Sequence, residues 1–155
     1  MDLFLNFNLE DLTSHLIVLG VAYLLALPIG WNREKEERSA GLRTFPLVAI
    51  ASCGFVMLAI EVLGTGSEGH AKILEGLMTG IGFIGGGAIL KQGDRATGTA
   101  TAASLWATGA IGAAVGYGQL DIAVILCITI FVTLSLLAPL KKVVSQDGGA
   151  DQSVN

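Results

Sequence analysis

Five stretches of this 155-residue chain contain no Asp, Glu, Lys or Arg, and each is a candidate membrane span. They cover residues 13–31, 44–60, 76–90, 96–120 and 122–140. A helix of about 20 apolar residues crosses a hydrocarbon core of roughly 30 Å, where only a helix or a closed barrel satisfies the backbone hydrogen bonds. The stretches lack the alternation of barrel strands. They therefore predict an all-α integral membrane protein with about five transmembrane helices.

The composition agrees with a chain that needs lipid, since 52% of its residues are hydrophobic, 14% are charged and the mean hydropathy is +0.68. We predict a transmembrane domain over residues 13–142. An outer interfacial or disordered segment at residues 1–12 precedes it, and a disordered cytoplasmic tail at residues 143–155 follows it. The net charge of −4 is dispersed rather than gathered in a patch, and no nucleic-acid partner is expected.

The basic residues are divided unequally between the two sides that five spans define. Only Lys72 falls on one side. The other side holds Arg33, Lys35, Arg38, Arg43, Lys91, Arg95, Lys141 and Lys142. Because Lys and Arg accumulate on cytoplasmic loops, we predict that the N-terminus faces outside and the C-terminus lies in the cytoplasm.

Small residues dominate the third and fourth spans. The positions that we assign to helix packing are Gly76, Gly80, Gly82, Gly85, Gly86, Gly87, Ala103 and Gly112. Small residues four apart let helices approach closely in lipid, so both spans are expected to be buried and a homo-oligomer is expected. The fifth span, rich in Ile and Leu, should face lipid. The alternative for the glycines is an unwound segment along an ion path, but neither span holds an acidic partner for a cation.

A short motif occurs twice, each time where a predicted helix starts on the basic side. Arg38-x-x-Gly41-x-x-Thr44 recurs as Arg95-x-x-Gly98-x-x-Thr101, which suggests two parallel helical hairpins plus a fifth helix. Two helix N-termini would then form an anion site for a lipid phosphate, a nucleotide or an acidic partner segment. Its candidate residues are Arg33, Arg38, Arg43, Arg95, Thr44 and Thr101. Ordinary positive-inside charge explains the same arginines without any ligand.

Three blocks of residues resemble the MgtC/SapB family of bacterial inner-membrane proteins. They are residues 40–44 (AGLRT), residues 80–90 (GIGFIGGGAIL), and Gly98 followed by residues 101–106 (TAASLW). Their order and spacing fit the family over roughly residues 16–140. Many relatives have Glu where this chain has Asn32, and Asn or Thr where it has Ala100.

The resemblance implies a multi-pass protein of the bacterial inner membrane, linked to magnesium homeostasis and, in some members, to virulence. It implies a regulator that acts through other membrane proteins, including transport or ATP-synthase machinery. It also implies a transmembrane domain without the soluble C-terminal domain of longer members. No cofactor is expected.

A small transporter or channel for Mg²⁺ or another ion is the second hypothesis. Magnesium prefers oxygen ligands, so one or two carboxylates should face a wet cavity. The candidates near a membrane face are Glu61, Glu75, Glu34 and Glu37, whose surface solvation is a simpler explanation. Catalysis is not expected, because Ser52, Ser104 and the Thr series have no nearby His or carboxylate in the predicted topology. No metal ligand is assigned.

Overall fold

The chain forms five helices joined by short connections. The computed structural model describes residues 8–36, 40–92 and 95–150, without the side chains of Gln92, Arg95 and residues 138–150. The helices are α1 (Leu9–Lys35), α2 (Thr44–Leu63), α3 (Gly69–Gly87), α4 (Thr99–Gly116) and α5 (Leu120–Ala150). An antiparallel hairpin of β1 (Leu90–Gln92) and β2 (Arg95–Thr97) connects α3 to α4. The predicted five-helix fold is confirmed, and α1, α2 and α5 are long and apolar enough to cross a membrane.

The helix boundaries differ from the charge-free stretches at α1, α3 and α5. Asn8 caps α1 by accepting a hydrogen bond from the Glu10 N–H, so residues 9–12 form the first turn of this helix. Helix α3 begins at Gly69 and includes Lys72, because a long side chain at a helix end can reach the interface. Helix α5 continues to Ala150, past the start of the predicted disordered tail, because extending a formed helix costs little. Residues 1–7 and 151–155 lie outside the described part.

Helix α4 is the centre of the bundle, since it packs against each of the other four helices. It runs parallel to α2, as Gly112 lies against Ala49 and Gly116 lies against Val56. It runs antiparallel to α3, where Gly85 approaches Ala102. Its inward side chains are buried, and this confirms the predicted burial of the fourth span.

Helices α1 and α5 pack together in parallel. The Cys127 thiol donates to the Leu25 carbonyl at 3.1 Å, and the Asn32 amide donates to the Ser135 hydroxyl at 3.2 Å. Most large apolar side chains of α5 are exposed, as predicted for a helix that faces lipid. We name the end of the bundle that holds Arg33, Arg43 and the β-hairpin the basic end. The opposite end, where α2 stops and α3 starts, is the His70 end.

Helix α3 lies at the edge of the bundle, so its predicted burial is wrong for the single chain. Only Ile81 and Gly85 are buried along it. A Cβ built on any of its other glycines after Gly69 would meet no atom within 4 Å, and these are Gly76, Gly80, Gly82, Gly86 and Gly87. The reason is that the small-residue face of α4 packs mainly on α2. Helix α3 therefore contacts the bundle along one of its faces, and its other faces stay exposed.

Gly98, the N-cap of α4, has a left-handed backbone with φ of 86°, and a Cβ there would collide with the Ala88 carbonyl oxygen. We expect Gly98→Ala to lower the free energy of unfolding by about 2 kcal/mol or more, because the strain of a left-handed backbone adds to the collision with the Ala88 carbonyl. Gly118→Ala is the control: its φ is 73° but no atom lies within 4 Å, so only the backbone cost of about 1 kcal/mol applies. Unfolding in mixed micelles measures both, and equal losses would contradict the close approach.

Candidate functional site at the basic end

Arg33, in the last turn of α1, is a buried charge at the basic end, with its side chain 4% exposed. Its Nη2 group donates to the Asn32 side-chain oxygen at 2.8 Å and lies 3.7 Å from the Glu36 carboxylate. Asn32 also donates to Ser135 of α5. Because a buried charge is costly without partners, this network fixes the ends of α1 and α5 relative to each other.

The connection from α1 to α2 folds tightly back onto α1. The Glu34 carboxylate accepts a hydrogen bond from the Leu42 N–H at 3.1 Å, just before α2 begins. A Cβ on Gly41 would collide with the Glu34 side chain, and a Cβ on Gly30 would lie 3.2 Å from the Gly41 carbonyl oxygen. The start of α2 is therefore held by a specific carboxylate and by two positions that have no room for a side chain.

The predicted anion-site residues are divided between the surface and the interior of the basic end. Arg43 is exposed at the N-cap of α2, where it makes no side-chain capping bond, and Thr44 is half-buried. Thr101 is 1% exposed and, like Arg33, faces the interior rather than a solvent-facing anion site. Arg38 lies outside the described residues, and of Arg95 only the backbone, in β2, is described.

Buried hydroxyls form a second polar feature on α4. Thr101, Ser104 and Thr108 share one face by their spacing of three and four residues. The Ser104 hydroxyl donates to the Ala100 carbonyl at 2.7 Å, and that of Thr108 donates to the Ser104 carbonyl at 2.8 Å. Both donors are satisfied by the helix itself, so they are stable in an apolar interior. Within the described residues, no group of three or more His, Cys, Asp or Glu is placed to hold a metal ion.

The predicted packing residues also separate into two groups. Gly85 and Gly112 lie at helix contacts, against Ala102 and Ala49. Ala103 is exposed, and the remaining glycines of that set, all on α3, contact no other part of the chain closely. Sequence reasoning missed Gly109, where a Cβ would collide with the Ile81 side chain. Its spacing from Gly112 and Gly116, on one helical face, was the available signal.

A polar contact at the His70 end was also missed. The His70 Nε2 atom lies 2.8 Å from the Gly64 carbonyl oxygen, and Nδ1 lies 3.0 Å from the Tyr117 hydroxyl. A carbonyl only accepts, so Nε2 donates, and in the neutral ring Nδ1 accepts from Tyr117. The contact joins α2, α3 and α4.

The chain has the features of a small helical membrane protein. Five helices pack together, three of them are able to span a bilayer, and a buried arginine fixes the polar end. The chain belongs to the MgtC family, whose model matches residues 19–143. Proteins of this family are membrane proteins, which agrees with the long apolar helices.

Three relatives illustrate the similarity. Protein MgtC of Brucella abortus (strain 2308) is 38% identical over 125 residues, covering 81% of this chain and 52% of the relative. Protein SrpB of Synechococcus elongatus is 35% identical over 137 residues, covering 81% and 75%. Protein MgtC of Salmonella typhimurium (strain 14028s) is 36% identical over 105 residues, covering 68% and 44%. This chain thus spans about half the length of these MgtC relatives, and no solved structure matches it.

Proposed function

We propose that this protein is a non-enzymatic membrane regulator that acts on other membrane proteins in magnesium homeostasis or a virulence-type stress. The observation that carries the proposal is the fixed basic end. Arg33, Glu34 and Asn32 hold the ends of α1 and α5 and the start of α2, while Arg43 and Lys91 remain exposed. A rigid surface with exposed cations is suited to bind an acidic segment of a partner, because little ordering cost accompanies binding.

The packing of α2 against α4 supports a regulator over an ion channel. The two helices touch at backbone distance, since a Cβ on Gly112 would collide with the Ala49 backbone. The hydroxyls of Ser104 and Thr108 are bonded to carbonyls of their own helix. An ion path needs polar groups that face a wet cavity, whereas this contact is close and the Ser104 and Thr108 hydroxyls are bonded within their own helix.

The proposal includes a membrane placement. We place the basic end in the cytoplasm and the N-terminus outside, because eight of the nine Lys and Arg residues belong to the predicted cytoplasmic side. All five helices then cross the bacterial inner membrane, and packing within the bundle stabilises α3 and α4 there. A homo-oligomer is part of this proposal.

Cross-linking and affinity purification from native bacterial membranes test the regulator. We expect a membrane-protein partner to be recovered, and the double variant Arg43→Gln/Lys91→Gln to recover about tenfold less of it, because both exposed cations are removed. Lys72→Gln, which removes a cation at the His70 end, should leave recovery unchanged. Purification of this chain alone would contradict the proposal, as would Mg²⁺ flux above that of empty vesicles in proteoliposomes.

A further inference from the structure

A groove of about 690 Å³ runs along the surface between α2 and α3. Its α3 wall follows Lys72, Gly76, Gly80 and Ile84, which stand four residues apart and so form one line along the helix. Its α2 wall is mainly apolar, with Leu47, Val48 and Phe55, and the Ser52 and Thr44 hydroxyls are its polar groups. The groove meets the basic end discussed above at Thr44, and Lys72 lies at its other end.

The dimensions of the groove match one lipid chain. The line from Lys72 to Ile84 spans 12 residues of helix, or about 18 Å at 1.5 Å per residue. One leaflet of a hydrocarbon core is about 15 Å thick. Gly76 and Gly80 line the groove without a side chain, and a Cβ built on either would meet no atom within 4 Å.

The charges at the mouth of the groove specify a head group. Lys72 lies in the first turn of α3 and lines one end of the groove, and it is the one base on its side of the predicted topology. Glu68 and Glu75 stand four residues before and three after it, so all three share a face. No ion pair of Lys72 exists among the described residues. Lys72 is exposed, with one carboxylate before it and one after it on the same face of α3.

We propose that this groove binds one phosphatidylethanolamine-type lipid, with an acyl chain along Gly76 and Gly80. The lipid phosphate contacts the Lys72 ammonium, and the head-group ammonium contacts Glu68 or Glu75. This alternation of charge matches a zwitterionic head group. A purely anionic lipid such as phosphatidylglycerol would meet one cation but two carboxylates, and the like charges would repel.

Native mass spectrometry of the full chain in detergent, titrated with phosphatidylethanolamine or phosphatidylglycerol, tests the proposal. We expect one phosphatidylethanolamine per chain, held more tightly than phosphatidylglycerol. Gly76→Leu/Gly80→Leu should weaken retention at least about tenfold by filling the groove. Lys72→Gln should weaken it about threefold, the size of an exposed charge contact.

The matched control is Gly82→Leu/Gly86→Leu, which adds the same side chains to the same helix outside the groove, where no atom lies within 4 Å of either Cβ. It should retain lipid like the wild type. Equal loss in both double variants, or no loss in either, would overturn the proposal. It would also be overturned if Gly76→Leu/Gly80→Leu dissociated a dimer without changing lipid retention, since a second copy would then occupy the groove. Partner recovery at the basic end is a separate measurement, so the lipid proposal and the regulator proposal can be contradicted independently.

Discussion

Replacing Gly112 with leucine is expected to lower the free energy of unfolding by more than about 3 kcal/mol, the upper range for overpacking a core. The reason is that α2 and α4 meet at this residue with their backbones in contact, and a single Cβ already collides with Ala49. The larger side chain cannot turn away, since Gly112 is buried. Unfolding in mixed micelles and yield of monodisperse protein measure the effect.

Gly82→Leu is the control for this experiment. It adds the same side chain to a glycine whose Cβ would meet nothing within 4 Å, on the neighbouring helix. We expect it to be neutral or slightly stabilising, because leucine favours a helix by roughly 0.5–1 kcal/mol over glycine. If Gly112→Leu were as stable as Gly82→Leu, the close contact of α2 and α4 would be incorrect.

Arg33→Ala is the second substitution with a large expected effect, a loss of about 2–4 kcal/mol. It removes a 4% exposed side chain, deprives Asn32 and Glu36 of its guanidinium and leaves space inside the basic end. Arg43→Ala removes the same groups from an exposed site at the N-cap of α2, and it should change stability by less than about 0.5 kcal/mol.

Comparing the two arginine variants separates burial from charge. Both lower the positive charge of the basic end by one, so a purely topological role would affect membrane insertion equally. The buried network requires that only Arg33→Ala loses stability. Denaturant titration of the purified proteins measures this loss. Similar curves for both variants would mean that Arg33 contributes nothing beyond its charge.

The helices could be predicted because a charged side chain is costly in lipid. Stretches without charged residues therefore indicate where the helices lie. The start of α2 at Thr44 follows from this pattern, together with the basic loop before it. The start of α3 at Gly69 does not follow, because Lys72 and Glu75 lie in its first turns and interrupt the apolar run. The β-hairpin was not predicted either, since its strands have only three residues each, too few for a periodic pattern.

The candidate site was predictable only in part, because one sequence shows which residues are small or charged but not which helices they face. The glycines of α3 and α4 look alike along the chain, yet Gly112 touches α2 while Gly80 touches nothing closely. Arg33 and Arg43 look alike too, and only the fold buries the first and exposes the second. The contact of His70 with Tyr117 joins residues 47 apart, with no spacing rule to indicate it.

The central position of α4 also affects the order in which the protein can be made. Synthesis from the N-terminus completes α1, α2 and α3 before their common neighbour exists. Until residues 99–116 are synthesised, α2 has no partner for its Ala49 face and α3 has none for Gly85. The first three helices can therefore pack only against one another until the fourth is made, and the complete bundle forms after residues 99–116 are synthesised.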